Sequence, residues 1–203
     1  MKIIDAIKQL QGNPVEIPDA SRDELPEFFK QMGYTVGAEI GVYKGEFTQK
    51  FCEVGLKMYA VDPWHSYDAS GRIQESKERQ DFLYGHTKRF LSPYNDCTII
   101  RKTSMDAIHH FKDRSLDFVY IDGDHSFKHI AEDIYEWTWK VKKGGVVAGH
   151  DYLSTIPRAQ RMIFHVGAVV EAYTKVFGIN NWYIFGRDPT RNDKALSWMW
   201  IRE

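Results

Sequence analysis

The chain has 203 residues, 43% of them hydrophobic and 27% charged, the balance of one ordinary soluble domain spanning 1–203 with a single sizeable core. A net charge of −1, with Lys and Arg scattered rather than striped, excludes a basic footprint for nucleic acid. No run approaches the ~18 apolar residues of a membrane span, and Cys52 and Cys97 are too few for a disulfide framework and match no metal spacing. With the short apolar run and early acid of MKIIDAIKQLQGNP arguing against a signal peptide, a cytoplasmic protein is expected.

In chain order, residues 1–33 read as short amphipathic helices broken at Asn13-Pro14 and Ile17-Pro18, with Ser21-x-x-Glu24 as a capping box opening a helix through Lys30. Apolar runs too short and too β-branched or aromatic for helix follow at 36–41, 57–62, 97–101, 116–122 and 144–149. Helical stretches at 45–54, 74–91, 104–112 and 127–142 alternate with them. That alternation predicts βαβ units and a parallel sheet, and the near-continuous apolar run 116–121 predicts a strand buried on both faces. Lys142-Lys143-Gly144-Gly145 reads as a helix stop. A helix over 156–177 and two strands, 182–186 and 196–201 around a polar turn at 187–194, end the chain as an antiparallel hairpin-like edge whose aromatic residues could form an oligomer interface. The stretch 62–89 is either a connecting helix or a lid.

The residues 36–45, Val-Gly-Ala-Glu-Ile-Gly-Val-Tyr-Lys-Gly, carry the strongest chemical signal. A strand breaks into a glycine turn, and Asp62 follows Gly41 at the end of the next strand, where an acid can accept hydrogen bonds from ribose hydroxyls. The pattern is E-x-G-x-x-x-G from Glu39 to Gly45, not the G-x-G-x-x-G that admits a pyrophosphate. A cofactor with a ribose and no phosphate fits, of which S-adenosylmethionine is the common one. Ligands of an open α/β sheet gather at the carboxyl ends of its strands. There the chain places Thr103-Ser104-Met105, Asp122-Gly123-Asp124-His125 and His150-Asp151-Tyr152. Asp122 and Asp151 would converge if their strands are neighbours. With no Arg or Lys nearby, a divalent cation is the economical way to relieve their repulsion; a histidine ligand widens the choice from Mg to Mn, Fe or Zn. Asp124 alone also reads as a helix cap. The remaining histidines, at 65, 86, 109, 110, 129 and 165, read as surface or packing residues, as do Trp137, Trp139, Trp198 and Trp200 as core, while Trp64 could flank the cofactor.

Together with YAVDPW, RKTSMDA, FVYIDGDHSF and GGVVAGHDY, in that order, the glycine turn resembles the class I S-adenosylmethionine-dependent methyltransferases, and within them the small metal-dependent O-methyltransferases of the catechol and macrocin types. The resemblance covers 34–152. It implies a Rossmann-like fold with a mostly parallel seven-stranded sheet, helices on both faces and an antiparallel C-terminal edge. It also implies roles. Glu39, Gly41, Tyr43 and Gly45 would surround the methionine part of the cofactor, Asp62 would take the ribose, Ser104 and Met105 would border the adenine, and Asp122 would also touch the cofactor. Asp122, His150 and Asp151 would hold a divalent metal, with His150 departing from the usual oxygen ligand, and His125 or Asp124 would act as base. The expected activity is methylation of a hydroxyl on a small molecule, a sugar or phenol. The competing readings are a metal-dependent hydrolase using Asp122, His150 and Asp151, which leaves the glycine turn without a purpose, and a non-catalytic cofactor-binding protein.

Overall fold

A computed structural model of the chain describes residues 1–65, 76–153, 165–186 and 195–203. The first part of the helix expected over 156–177 (156–164), the polar turn at 187–194 and residues 66–75 of the 62–89 stretch lie outside the described residues.

The N-terminal segment forms α1 (Ile3–Gln9), a two-residue strand β1 (Val15–Glu16), and, after a 3₁₀ turn, α2 (Leu25–Gln31). Ser21 and Glu24 close the expected capping box, the Ser21 hydroxyl taking the Asp23 amide and the Glu24 carboxylate taking the Ser21 amide. The alternating units follow: β2 (Val36–Ile40), α3 (Glu46–Glu53), β3 (Lys57–Val61), α4 (Lys77–Phe90), β4 (Cys97–Ile100), α5 (Ser104–Ala107), β5 (Leu116–Ile121) and α6 (Phe127–Lys140). The helix predicted over 104–112 is one α-turn continued by a 3₁₀ turn. The chain closes with β6 (Val141–Tyr152), α7 (Val166–Val176), β7 (Trp182–Phe185) and β8 (Leu196–Ile201). α6 does stop there, at Lys140, and β6 starts earlier than its apolar run because Val141 pairs with Leu116 of β5 and the Gly144 amide and Gly145 carbonyl bond to Arg202.

The sheet has eight strands in the order β1-β7-β8-β6-β5-β2-β3-β4. Seven were legible; β1 escaped because two residues carry no periodicity, and it pairs in parallel with β7 only in the folded chain. β8 is antiparallel to both β6 and β7, so the C-terminal hairpin is real. β1 nonetheless covers the outer side of β7, which removes the hairpin as a bare edge for another copy.

β5 shows why the sheet has two covered faces. All six of its residues are buried, with Val119 and Ile121 packing among Ile130, Ile134, Trp137 and Trp198, and Phe118 and Tyr120 among Phe29, Phe51 and Met199. Asp117 interrupts the run but is satisfied, accepting from the Thr35 and Val36 amides at 2.6 and 2.9 Å. Trp198 and Trp200 are buried as expected, whereas Trp139 is 41% exposed, on the outer face of α6 with the Arg202 guanidinium above its ring.

Gly37 on β2 is where the Phe118 ring crosses the sheet, since a Cβ there would sit 2.2 Å from it. Gly37→Ala is expected to destabilise the fold by about 2 kcal/mol through overpacking, read as a lower midpoint in denaturant unfolding with an unchanged slope. Among the described residues no helix is long and apolar enough to cross a membrane.

Candidate active site

β2 ends where β5 ends beside it, and the two chain turns touch. Asp122 N donates to Ile40 O at 2.7 Å, Gly41 N to Val61 O at 2.9 Å. Gly41 has φ 89°, and a Cβ on it would lie 2.2 Å from the Asp122 carbonyl oxygen and 2.6 Å from Gly123 Cα. Only glycine permits that crossing. Tyr43 continues the turn at φ 53° with a half-exposed ring, and Gly45, at φ 85°, opens α3 against Leu91 and Thr87.

The turn is tied to the end of β3 by Asp62. Its Oδ2 accepts the Val42 and Tyr43 amides, both at 2.9 Å, and its Oδ1 accepts the Trp64 amide at 2.7 Å. Burial pushes the Asp62 carboxyl up, and these three amides oppose it. A carboxylate has about four acceptor positions, so one more donor can be served. Trp64 is buried and its indole donates to Tyr43 O at 2.8 Å, bracing the same turn. Beneath it Glu39, 2% exposed, accepts from the Thr48 hydroxyl. Burial pushes its carboxyl well above the ordinary range.

Two cavities open from this turn. The first, about 350 Å³, runs from Gly41 and Asp62 past Val61, Pro63 and Trp64 to Ser104, Asp124, His129 and Asp133. The second, about 370 Å³, lies on the other side of Asp122 and is bordered by Arg22, Glu39, Tyr43, Lys44, Phe47 and His125. Of the cofactor residues named from the sequence, Glu39, Gly41, Tyr43, Asp62, Ser104 and Asp122 line one or both. Gly45 and Met105 line neither; Gly45 shapes the start of α3 and Met105 packs against the core.

β5 and β6 are parallel neighbours, and their ends bring Asp122, His125, His150 and Asp151 together as expected. The closest pair is His125 Nε2 and Asp151 Oδ2, at 2.6 Å. His150 Nδ1 stands 3.5 Å from Asp151 Oδ1 and 3.9 Å from Asp122 Oδ1. Among the described residues, Asp122, His125 and Asp151 each offer a ligand atom within 4.8 Å of the others; the histidine of this trio is His125, where the sequence reading put His150. Asp151 has φ 58°, a left-handed backbone that a non-glycine residue holds at a cost of about 1–2 kcal/mol.

Burial alone would lower the His125 pKa, but the carboxylates of Asp122 and Asp151 beside its ring outweigh it and push it up to about 9. Burial would raise Asp151, but His125 and His150 together hold it far below the usual carboxylate range. The couple is therefore imidazolium and carboxylate at neutral pH. Its contribution to stability from His125 is complete below about pH 6.5, the unfolded value, and fades as pH rises through about 9. The Asp151 contribution is present above about pH 4 and is lost as pH falls further.

The premise that no cation stands near the carboxylates does not hold. Arg22, just after the capping Ser21, reaches across 100 positions to place NH1 3.3 Å from Asp122 Oδ2, with its guanidinium 5.4 Å from the Phe47 ring centroid. Nothing local in the sequence announces that contact. Asp124 faces the first cavity, apart from the His125–Asp151 pair: its Oδ1 accepts the Ser126 amide at 2.8 Å at the start of α6 and lies 3.6 Å from His129 Nδ1. His129, expected as a surface or packing residue, and Asp133, which carried no expectation, line that cavity too. Their spacing on α6, four apart, was the available signal.

Residues 38–152 match the family described as Methyltransferase domain, and the chain belongs to it: by that match and its sheet order it is a class I S-adenosylmethionine-dependent methyltransferase. Among solved structures, one assigned as a caffeoyl-CoA O-methyltransferase from Staphylococcus aureus superposes with TM-score 0.65 at 16% identity, over 92% of this chain and 86% of that one. An rRNA methylase from Streptococcus thermophilus superposes at 0.63 and 14% identity, over 92% and 98%. The O-methyltransferase from Bacillus cereus in complex with S-adenosylhomocysteine gives 0.63 and 12%, over 91% and 83%. In sequence, 119 residues are 25% identical to the uncharacterised protein y4gI of Sinorhizobium fredii. The match takes in 56% of this chain but only 12% of that protein's length.

Proposed function

We propose that this chain transfers the methyl group of S-adenosylmethionine to a hydroxyl oxygen of a small polar molecule. The observation that carries the reading is the His125–Asp151 pair standing on the far side of Asp122 from the first cavity.

The cofactor fits the residues present. The Gly41–Asp122 crossing is a cradle that a single Cβ would fill, and the walls beyond it, Ile40, Val61, Pro63 and Trp64, are apolar and suit a flat base. Gly41, Tyr43 and Asp122 would hold the methionine portion, with Glu39 beneath; Asp62 would take a ribose hydroxyl and Ser104 would border the adenine. When bound, the cofactor supplies an electrophilic methyl on a sulfonium. The chain's residues do the rest. His125, once its proton has left to solvent, would accept the acceptor hydroxyl's proton at Nδ1 while its Nε2–H stays on Asp151 Oδ2, 2.6 Å away, which stabilises the resulting imidazolium. Fixing donor and acceptor on either side of Asp122 contributes through alignment. The titratable lining of the second cavity, with Arg22, Lys44 and Glu46 around Tyr43, and a net charge of −1 favour a small polar acceptor over nucleic acid.

A second reading retains a divalent metal. Asp122, Asp151 and an imidazole, His125 or His150, form a donor set of two oxygens and one nitrogen that suits Mn, Fe or Zn as well as Mg. Bound there, the ion would lower the pKa of the acceptor hydroxyl. It would have to compete with the Arg22 guanidinium and the His125 proton, which already balance both carboxylates. For that reason the His125–Asp151 reading leads.

The test is calorimetry with S-adenosylhomocysteine, followed by methyl transfer to a panel of sugars and phenols before and after EDTA. Cofactor binding in the micromolar range and a rate unchanged by EDTA within about twofold are expected. A loss of about tenfold or more, restored by Mg or Mn, selects the metal reading. No binding of the cofactor product at all sinks the proposal.

A further inference from the structure

Asp133 has no structural reason to be acidic. It lies on the inner face of α6, where Ile130, Ile134 and Trp137 pack into the core, and it is 3% exposed. A carboxylate placed there costs free energy unless its oxygens are served. One is: Oδ1 accepts the Ser104 hydroxyl from the start of α5. The other is not, among the described residues. Oδ2 lies by Gly123, where a Cβ would stand 3.7 Å from it, and Gly123 and Asp133 both border the first cavity. Four acids line the cavity, Asp62 at the close of β3, Asp122 and Asp124 after β5, and Asp133 on α6 beside Ser104, with Val61, Pro63 and Trp64 as apolar wall.

We infer that Asp133 selects the base of the cofactor, accepting a hydrogen bond from the exocyclic 6-amino group of adenine at Oδ2. This rests on the cofactor reading above. With the ribose at Asp62, a purine lying along the apolar wall presents its far edge to Ser104 and Asp133. On that edge adenine carries an N–H donor at position 6 and hypoxanthine a carbonyl oxygen. The carboxylate attracts the first and repels the second. Burial pushes the Asp133 carboxyl up to about 7, partly offset by Ser104, and a second donor would lower it again.

The experiment is calorimetric titration of the full chain with S-adenosylhomocysteine, S-inosylhomocysteine and the N6,N6-dimethyl analogue of the former. Wild type is expected to bind the adenosyl compound about 30-fold more tightly than either, the effect of leaving a buried acceptor unserved. Asp133→Asn, which keeps the shape and the Ser104 contact and can turn its amide toward a carbonyl oxygen, is expected to reduce the adenosyl-to-inosyl ratio to about threefold or less. Equal binding of all three compounds by wild type overturns the inference, whatever the variant does. An unchanged ratio in a folded Asp133→Asn, judged by thermal unfolding, overturns it as well. If wild type binds none of the three, the cofactor reading fails first and takes this one with it; strong adenosyl binding with no discrimination removes this one alone.

Discussion

Replacing His125 by Ala is expected to slow methyl transfer by about a hundred- to ten-thousandfold, the usual worth of a positioned base, while S-adenosylhomocysteine affinity changes by no more than about twofold. The second half follows from geometry. His125 borders the second cavity but not the first, so the contacts proposed for the ribose and the base at Asp62 and Ser104 are kept. The wild-type pH profile gives the same residue a second signature. Only the neutral imidazole can accept a proton, and its pKa is pushed up to about 9; kcat/KM should therefore rise about tenfold per pH unit through neutrality and level off above pH 9. Removing the charge 2.6 Å away in Asp151→Asn takes away one of the two carboxylates that support the imidazolium, Asp122 being the other, so the rising limb should move toward the ordinary histidine value of about 6.5. A profile flat from pH 6 to 9.5, or a loss below tenfold in His125→Ala, would rule out the base assignment.

The second large effect is at Gly41. In Gly41→Ala the new Cβ would overlap the Asp122 carbonyl oxygen, 2.2 Å away, at a backbone φ of 89° that disfavours any side chain. The neighbour is backbone and cannot swing aside, so the end of β2 must separate from the end of β5. Cofactor affinity is expected to fall at least about 100-fold, which is roughly 2.7 kcal/mol. Thermal unfolding should still show a cooperative transition, because the two core layers around β5 lie below the crossing. Binding within about threefold of wild type would show that the turn does not cradle the cofactor.

Much of this molecule was legible residue by residue. The alternation of apolar runs with amphipathic stretches, the all-buried 116–121 and the capping box at Ser21 follow from local preference and periodicity, which need no distant partner. The glycine turn, Asp62 and the strand-end acids were visible because parallel α/β topology sends every strand's carboxyl end to one side. What periodicity could not supply was contact between distant segments. β1 is too short to signal, and Arg22 becomes part of the site only because α2 packs beneath the sheet and carries the preceding turn to Asp122. That one contact changes the electrostatics, supplying the charge for which a metal had been invoked.

The sequence by itself determined the order of the elements, the fold and the class of cofactor, because each is written in local pattern and in one short turn. The tertiary structure alone decided which side chains meet: His125 rather than His150 closest to Asp151, Arg22 on Asp122, and Asp133 and His129 along the first cavity. Those meetings depend on register between β5 and β6 and on the rotation of α6 against the sheet. Neither is set by any single stretch of residues, since both result from packing two covered faces at once.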